Sequence, residues 1–306
     1  MKTDPLTGRD LATALVVVLV WGVNFVAMKF ALRDFTPFQL GAARFAFAAL
    51  PLTLFIRPPR VPWKWVVLYG LFQGVGQFGI LFIALQVGMT AALASVLLQT
   101  QVFFTALFGF VLLGERAGRP LQAGMALAAL GLSCFAWNYL GSGATGGGTT
   151  LAGFALTLGA AGMWALSNIV ARQVQKVAGG YSPVAFVVWS CAVAVLPFLA
   201  LSWTFDPQPV RWQWLRAGWT SWLSVAYLGW VASVVGYSLW TWLLKRHPAN
   251  RVSPFGLGVP VVGLAAGMGV LGETVTPWQW AGIVLLVAAL ACVMLGGRIK
   301  RAAAVL

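Results

Sequence analysis

The chain is 306 residues long, 60% hydrophobic and only 8% charged, with a mean hydropathy of +0.86. Too few charges remain to solvate the surface of a soluble domain, whereas lipid would solvate this one, so a soluble fold is excluded. The formal charge of +14 at pH 7 invites a nucleic-acid reading, but the basic residues stand between apolar runs and form no binding stripe.

A helix that crosses the hydrocarbon needs about 20 mostly apolar residues. Ten such windows follow one another, at 10–31, 38–56, 65–86, 91–113, 121–140, 152–174, 184–203, 220–243, 252–272 and 278–296. The runs are continuous, without the alternating polarity of barrel strands. The first has the look of a signal peptide, yet no small-residue cleavage site follows it, so it is expected to remain as a helix. Thr36-Pro37 and Ser182-Pro183 place a cap and a first-turn proline before the second and seventh windows. Residues 141–150 are rich in Gly, Ser and Thr and uncharged, which predicts a flexible linker. Residues 205–219 carry Trp212, Trp214 and Trp219 with Arg211 and Arg216, a composition suited to the outer interface.

The chain is written twice. Residues 95–134 align without a gap on 253–292, with ten of 40 columns identical, including Leu113-Gly114-Glu115 on Leu271-Gly272-Glu273. Further out, Pro37 pairs with Pro183 and Trp21 with Trp164, and about 12 extra residues before Tyr227 account for the change of offset. The reading is an all-α membrane protein of ten transmembrane helices in two five-helix repeats, 1–140 and 151–306, joined by the linker. Five helices is an odd number, so the second repeat must be inverted. Charge sets the orientation. Of the 20 Lys and Arg residues, 15 fall on one side, among them Arg57, Arg60, Arg116, Arg172 and Arg246. Four fall on the other (Lys29, Arg33, Arg211 and Arg216), and Arg44 lies inside the second window. The positive-inside rule then makes both termini cytoplasmic.

Polar side chains near the centre of a span seldom face lipid. Here they are Asn24 on the first helix, Gln77 on the third, Gln99 and Gln101 on the fourth, Ser167 and Asn168 on the sixth, and Ser233 and Tyr237 on the eighth. Trp21 and Trp164 stand at the same depth on the two helices related by the repeat. From this set Trp21, Asn24, Gln77, Gln101, Trp164, Asn168 and Tyr237 are expected to line a shared cavity. The competing reading of each amide is a hydrogen bond between helices, and of Trp21, core packing. Gln99 and Gln101 are about 200° apart around a helix, so one of them faces the cavity. Pro260 removes a backbone donor in mid-span, which kinks a helix or frees a carbonyl. Arg44 has two readings, an anchor for a substrate carboxylate or a structural arginine bonded to carbonyls or to Glu273. The sequence favours the second.

The acids Asp4, Asp10, Asp34, Glu115, Asp206 and Glu273 all sit at span ends or in loops, with His247 in a loop. Cys134, Cys191 and Cys292 lie inside windows with no disulfide or metal spacing. No nucleophile–base constellation and no metal cluster can be assembled, so neither an enzyme nor a cofactor is expected.

The stretches WGVNF (21–25), AARF (42–45), GMTAALASVLLQTQVFFT (88–105), LGER (113–116), WALSNI (164–169), YLGWVASVVGYSLW (227–240) and VPVVGL (259–264) together resemble the EamA branch of the drug/metabolite transporter superfamily. The resemblance covers nearly the whole chain. It implies ten helices in two inverted repeats, and export of amino acids or related metabolites across a bacterial inner membrane. The expected partners are thus a small amino-acid-like solute and membrane lipid, with no nucleic acid; no oligomeric state can be read. Alternating access of the two repeats is the expected mechanism. Without a titratable group at mid-membrane the carrier is expected to be facilitative. Drug efflux and proton-coupled antiport are the alternatives within the class. A channel would need polar rows leading outwards, and a scaffold would need a larger soluble region.

Overall fold

The structure is a computed structural model that describes residues 6–115, 118–140, 149–178, 180–247 and 249–303. Most of the expected linker at 141–150 lies outside the described residues, as do Asp4 and Arg116. Helices dominate, in the order α1 (Gly8–Ala31), α2 (Pro37–Thr53), α3 (Trp63–Gln86), α4 (Ala91–Leu113), α5 (Arg119–Leu140), α6 (Leu151–Val177), α7 (Pro183–Phe205), α8 (Trp219–Arg246), α9 (Pro254–Leu271) and α10 (Pro277–Ala303). No strand occurs among the described residues.

Nine of these, all but α2, are long and apolar enough to cross a membrane. The second window was expected to run to residue 56, but α2 stops at Thr53 after 17 residues. Pro51 leaves its last turn without a donor, and the N–H groups of Phe55 and Ile56 turn back to the Leu52 carbonyl. At 1.5 Å per residue, α2 spans about 25 Å, short of a hydrocarbon core of about 30 Å.

Local chemistry starts several of the helices. Thr7 and Asp10 form a capping box on α1, Thr36 and Gln39 another on α2, and the Ser182 hydroxyl accepts the Ala185 N–H at the start of α7. The two Leu-Gly-Glu stretches end α4 and α9 alike. Gly114 (φ 67°) and Gly272 (φ 66°) take the left-handed cap, and the N–H groups of Glu115 and Glu273 reach back to the carbonyls of Gly109 and Gly267.

Two helices change their winding at matching places. Gly70–Gly79 in α3 and Tyr227–Val235 in α8 are π-helical. Four glycines loosen the first stretch, and in the second the Ser233 hydroxyl donates to the Leu228 carbonyl five residues back. A 3-10 turn, Leu98–Thr100, interrupts α4, and another, Ser253–Leu257, leads into α9.

Helix α5 packs along α10, and α2 along α7. Helix α1 packs on α8 and α9, α6 packs on α3 and α4, and α4 meets α9. Small residues allow the closest approaches. A Cβ on Gly131 would lie 3.0 Å from the Gly282 carbonyl, so α5 and α10 need glycine there. The buried core runs through Phe25, Met28, Leu40, Phe45, Phe82, Leu93, Leu97 and Phe198.

Candidate functional site

A cavity lies between α2, α3, α7 and α8, where both π-helical stretches are found. Its polar lining is Arg44 from α2, Tyr69 and Gln73 from α3, Ser190 from α7, and Ser233, Tyr237, Ser238 and Thr241 from α8. Its apolar walls are Phe45, Ala48, Leu52, Phe78, Val184, Val187 and Val188, with Cys191 beside them. The rim residues Leu52, Pro183, Val184 and Thr241 stand near the helix ends at which Arg57, Arg60 and Arg246 lie. The cavity therefore points toward the basic end of the bundle.

The far end is shut. Thr36 Oγ1 donates to Asp206 at 2.7 Å and Ser202 donates to the same carboxylate at 2.6 Å. Asp34 accepts from the Gly218 N–H at 2.9 Å and from Ser221 at 2.7 Å. The Gln39 amide donates to the carbonyls of Val210 and Arg211, each at 3.1 Å. Glu273 holds the start of α4 through the N–H groups of Ala91 (2.7 Å) and Ala92 (2.8 Å). Deeper in, the rings of Phe45 and Phe198 stack at 5.9 Å.

Arg44 is 2% exposed. Its guanidinium lies 3.9 Å from the centre of the Phe78 ring, and its one hydrogen bond is a long one, Nη2 to Ser233 Oγ at 3.4 Å. Nε and Nη1 have no hydrogen-bond partner, and neither has Ser190 Oγ. Of the structural partners that the sequence offered Arg44, backbone carbonyls or Glu273, the second is not used, because both Glu273 oxygens are taken at the start of α4. A buried cation over an aromatic face with unspent donors is suited to binding an anion, and the planar guanidinium suits a carboxylate best.

The other expected residues divide between this cavity and its surroundings. Tyr237 lines it, with its ring 5.1 Å from that of Trp21. Trp21 sits behind Tyr237, its Nε1 donating to the Ala232 carbonyl at 3.0 Å. Gln77 is 2% exposed and stands behind Gln73, which donates to it; Ser167 donates in turn to Gln73. Asn24 is buried on α1, and its Oδ1 has no partner. Trp164 is half-buried against the main core.

Gln101 and Asn168 belong to a second, more open cleft between α4 and α6, with Thr105, Arg172 and Gln175. Asn168 Nδ2 donates to Gln101 Oε1 at 2.8 Å and to Thr105 Oγ1 at 3.1 Å. Arg172 also pairs with Glu115 at 2.7 Å. Gln99 turns the other way, to the Gly256 carbonyl (3.4 Å) that Pro260 leaves without its helical donor.

Compared with known proteins, the chain matches the model of the EamA-like transporter family over residues 10–137 and again over 151–295. It belongs to that family. An EamA-like transporter with nine helices, among the described residues, apolar and long enough to cross a bilayer, it is an integral inner-membrane protein. A relative from Salmonella typhimurium named as a probable amino-acid metabolite efflux pump is 38% identical over 98% of this chain and 99% of its own. One of the same name from Escherichia coli K12 is 37% identical over 97% and 98%. A crystal structure 20% identical in sequence superposes with a TM-score of 0.60 over 95% of this chain and 98% of the other, which extends the likeness to the fold alone. This EamA-like protein is thus a transporter.

Proposed function

We propose that the protein exports amino acids or closely related metabolites by alternating access, with Arg44 holding the substrate carboxylate. The observation that carries this reading is the Arg44 guanidinium, with Nε and Nη1 unpartnered, in the wall of a cavity between α2, α3, α7 and α8. The names of the two relatives support the substrate class. In this reading α2 is a tenth crossing, too short for an average bilayer and met by local thinning. The halves 1–140 and 151–306 are then inverted repeats joined at 141–150, with both termini cytoplasmic. The double family match, the paired glycine caps and the two π-helical stretches support the duplication. So does the packing, because α1 on α8 and α9 repeats as α6 on α3 and α4.

The charge distribution makes the basic end cytoplasmic, so the cavity faces inward and the seal at Asp34, Asp206 and Glu273 is the external gate. Tyr237 and Gln73 contact substrate, while Trp21, Asn24, Gln77 and Trp164 shape the wall behind them. Gln101 and Asn168 line the route between α4 and α6 that serves in another state of the cycle.

Transport is facilitative. Among the described residues every carboxylate stands at a helix end, and none lines either cavity. Net uptake of an amino acid panel and its N-acyl derivatives into proteoliposomes, with the voltage clamped, tests this. Saturable uptake that an imposed pH gradient leaves unchanged is expected. Accumulation of a neutral solute driven by protons alone would overturn the facilitative reading, and flux without saturation would overturn the carrier.

A further inference from the structure

The charge inventory around Arg44 specifies the cargo further. Asp10 is held by Thr7, Arg246 and His247 at the basic end. Asp34 is held by Gly218 and Ser221, Asp206 by Thr36 and Ser202, Glu273 by Ala91 and Ala92, and Glu115 by Arg172. None of these carboxylates lines the cavity. The groups that face Arg44 are neutral: Ser190, Ser233, Gln73, Tyr237, Cys191 and the Phe78 ring.

A zwitterionic amino acid placed here would neutralise the arginine with its carboxylate and add an ammonium with no acid to receive it. The loaded site would keep a net charge of +1 in a desolvated, largely apolar chamber, which is costly. A carboxylate whose nitrogen is acylated or replaced by a keto oxygen leaves the loaded site neutral. Its amide or carbonyl meets the unpartnered Ser190 hydroxyl or Gln73, and an aliphatic side chain meets Val184, Val187, Val188 and Leu52.

We infer that the transported species is a monoanionic, N-acylated or 2-oxo derivative of an apolar amino acid, and that each export event moves one negative charge outward. The inference rests on the carrier reading above. It also supplies a driving force to a carrier with no coupling ion. A cell interior negative by about 100 mV favours exit of a monovalent anion by roughly 50-fold, equivalent to about 2.3 kcal/mol.

The test compares N-acetyl-leucine with leucine in proteoliposomes of the full chain, with the potential set by potassium and valinomycin. With the lumen positive by about 100 mV, N-acetyl-leucine should accumulate toward a roughly 50-fold gradient, and reversing the potential should abolish accumulation. Arg44→Gln should lower its initial rate at least about tenfold, with Arg44→Lys recovering part of it, since only the lysine restores the charge. Cys191 lies in the same wall. With Cys134 and Cys292 replaced by serine, N-acetyl-leucine and not leucine should slow its alkylation. If Arg44→Gln fails to fold, the potential and alkylation experiments on protein that retains Arg44 still decide. Leucine uptake that equals or exceeds that of N-acetyl-leucine and ignores the potential overturns the anion inference and leaves the carrier standing. Entry of neither solute above protein-free vesicles overturns the carrier reading itself.

Discussion

The two Leu-Gly-Glu turns offer a controlled comparison, because their backbones match and their carboxylates do different things. Glu115 pairs with Arg172, and both side chains remain exposed, at 47% and 42%. An ion pair in that setting is worth under about 1 kcal/mol. Glu273 instead accepts two N–H groups from Ala91 and Ala92, residues that are fully buried at the start of α4. Glu273→Gln keeps one acceptor oxygen, so one of those donors loses its partner at about 1–3 kcal/mol. Losing the negative charge at a helix start adds roughly 0.3–1 kcal/mol. A total of about 1.3–4 kcal/mol should lower the melting temperature by at least about 3 °C, whereas Glu115→Gln should stay within about 2 °C of the parent. Melting of the purified protein in one detergent, followed by the fraction that remains monodisperse after heating, measures both. If the two variants melt together, or Glu115→Gln melts lower, the α9–α4 clamp is not the strong one.

Asn168→Ala should lower transport while the yield of monodisperse protein is kept, because Asn168 lines an open cleft and its amide bonds to Gln101 and Thr105; failure to reach the membrane would make it a structural residue. Cysteine at Gln213, exposed at the far end, should react with an impermeant reagent in intact cells lacking the native cysteines, and cysteine at Gly118 should react only once the membrane is opened. The reverse pattern would invert the orientation.

Much of the architecture was legible because it follows from one-dimensional signals. Hydropathy located the helices, Thr36-Pro37 and Ser182-Pro183 marked two starts, and the Leu-Gly-Glu pair marked two ends. The faces of the helices were harder to read. Gln77 was expected to line the cavity, yet it stands behind Gln73, which donates to it and takes the place on the wall. The π-helical winding over Gly70–Gly79 is the reason, since a count of 100° per residue drifts once the spiral widens. Gln99 and Gln101 end on opposite sides of α4, as their separation of about 200° around the helix requires. For Arg44 the difficulty was different. Its depth was readable, but whether Glu273 could reach it depended on how α9 meets α4, a contact between helices 182 residues apart in the chain at Ala91.

The charges of the bundle divide their tasks by sign. At the far end the acids take hydrogen bonds from neighbouring helices, Asp34 from α8, Asp206 from α2 and α7, and Glu273 from α4. A carboxylate suits this role because it accepts several bonds at once, and near a helix end its desolvation is only partial. At the centre the requirement is opposite. A carboxylate there would titrate and tie transport to protons, whereas a guanidinium keeps its proton at any physiological pH and can only bind or release an anion. With the described acids committed to the ends and Arg44 alone in the middle, selectivity and driving force rest on the same contact. A neutral residue at position 44 should therefore remove the preference for anions and the response to membrane potential together. A variant that lost one and kept the other would show that the two properties reside in different residues.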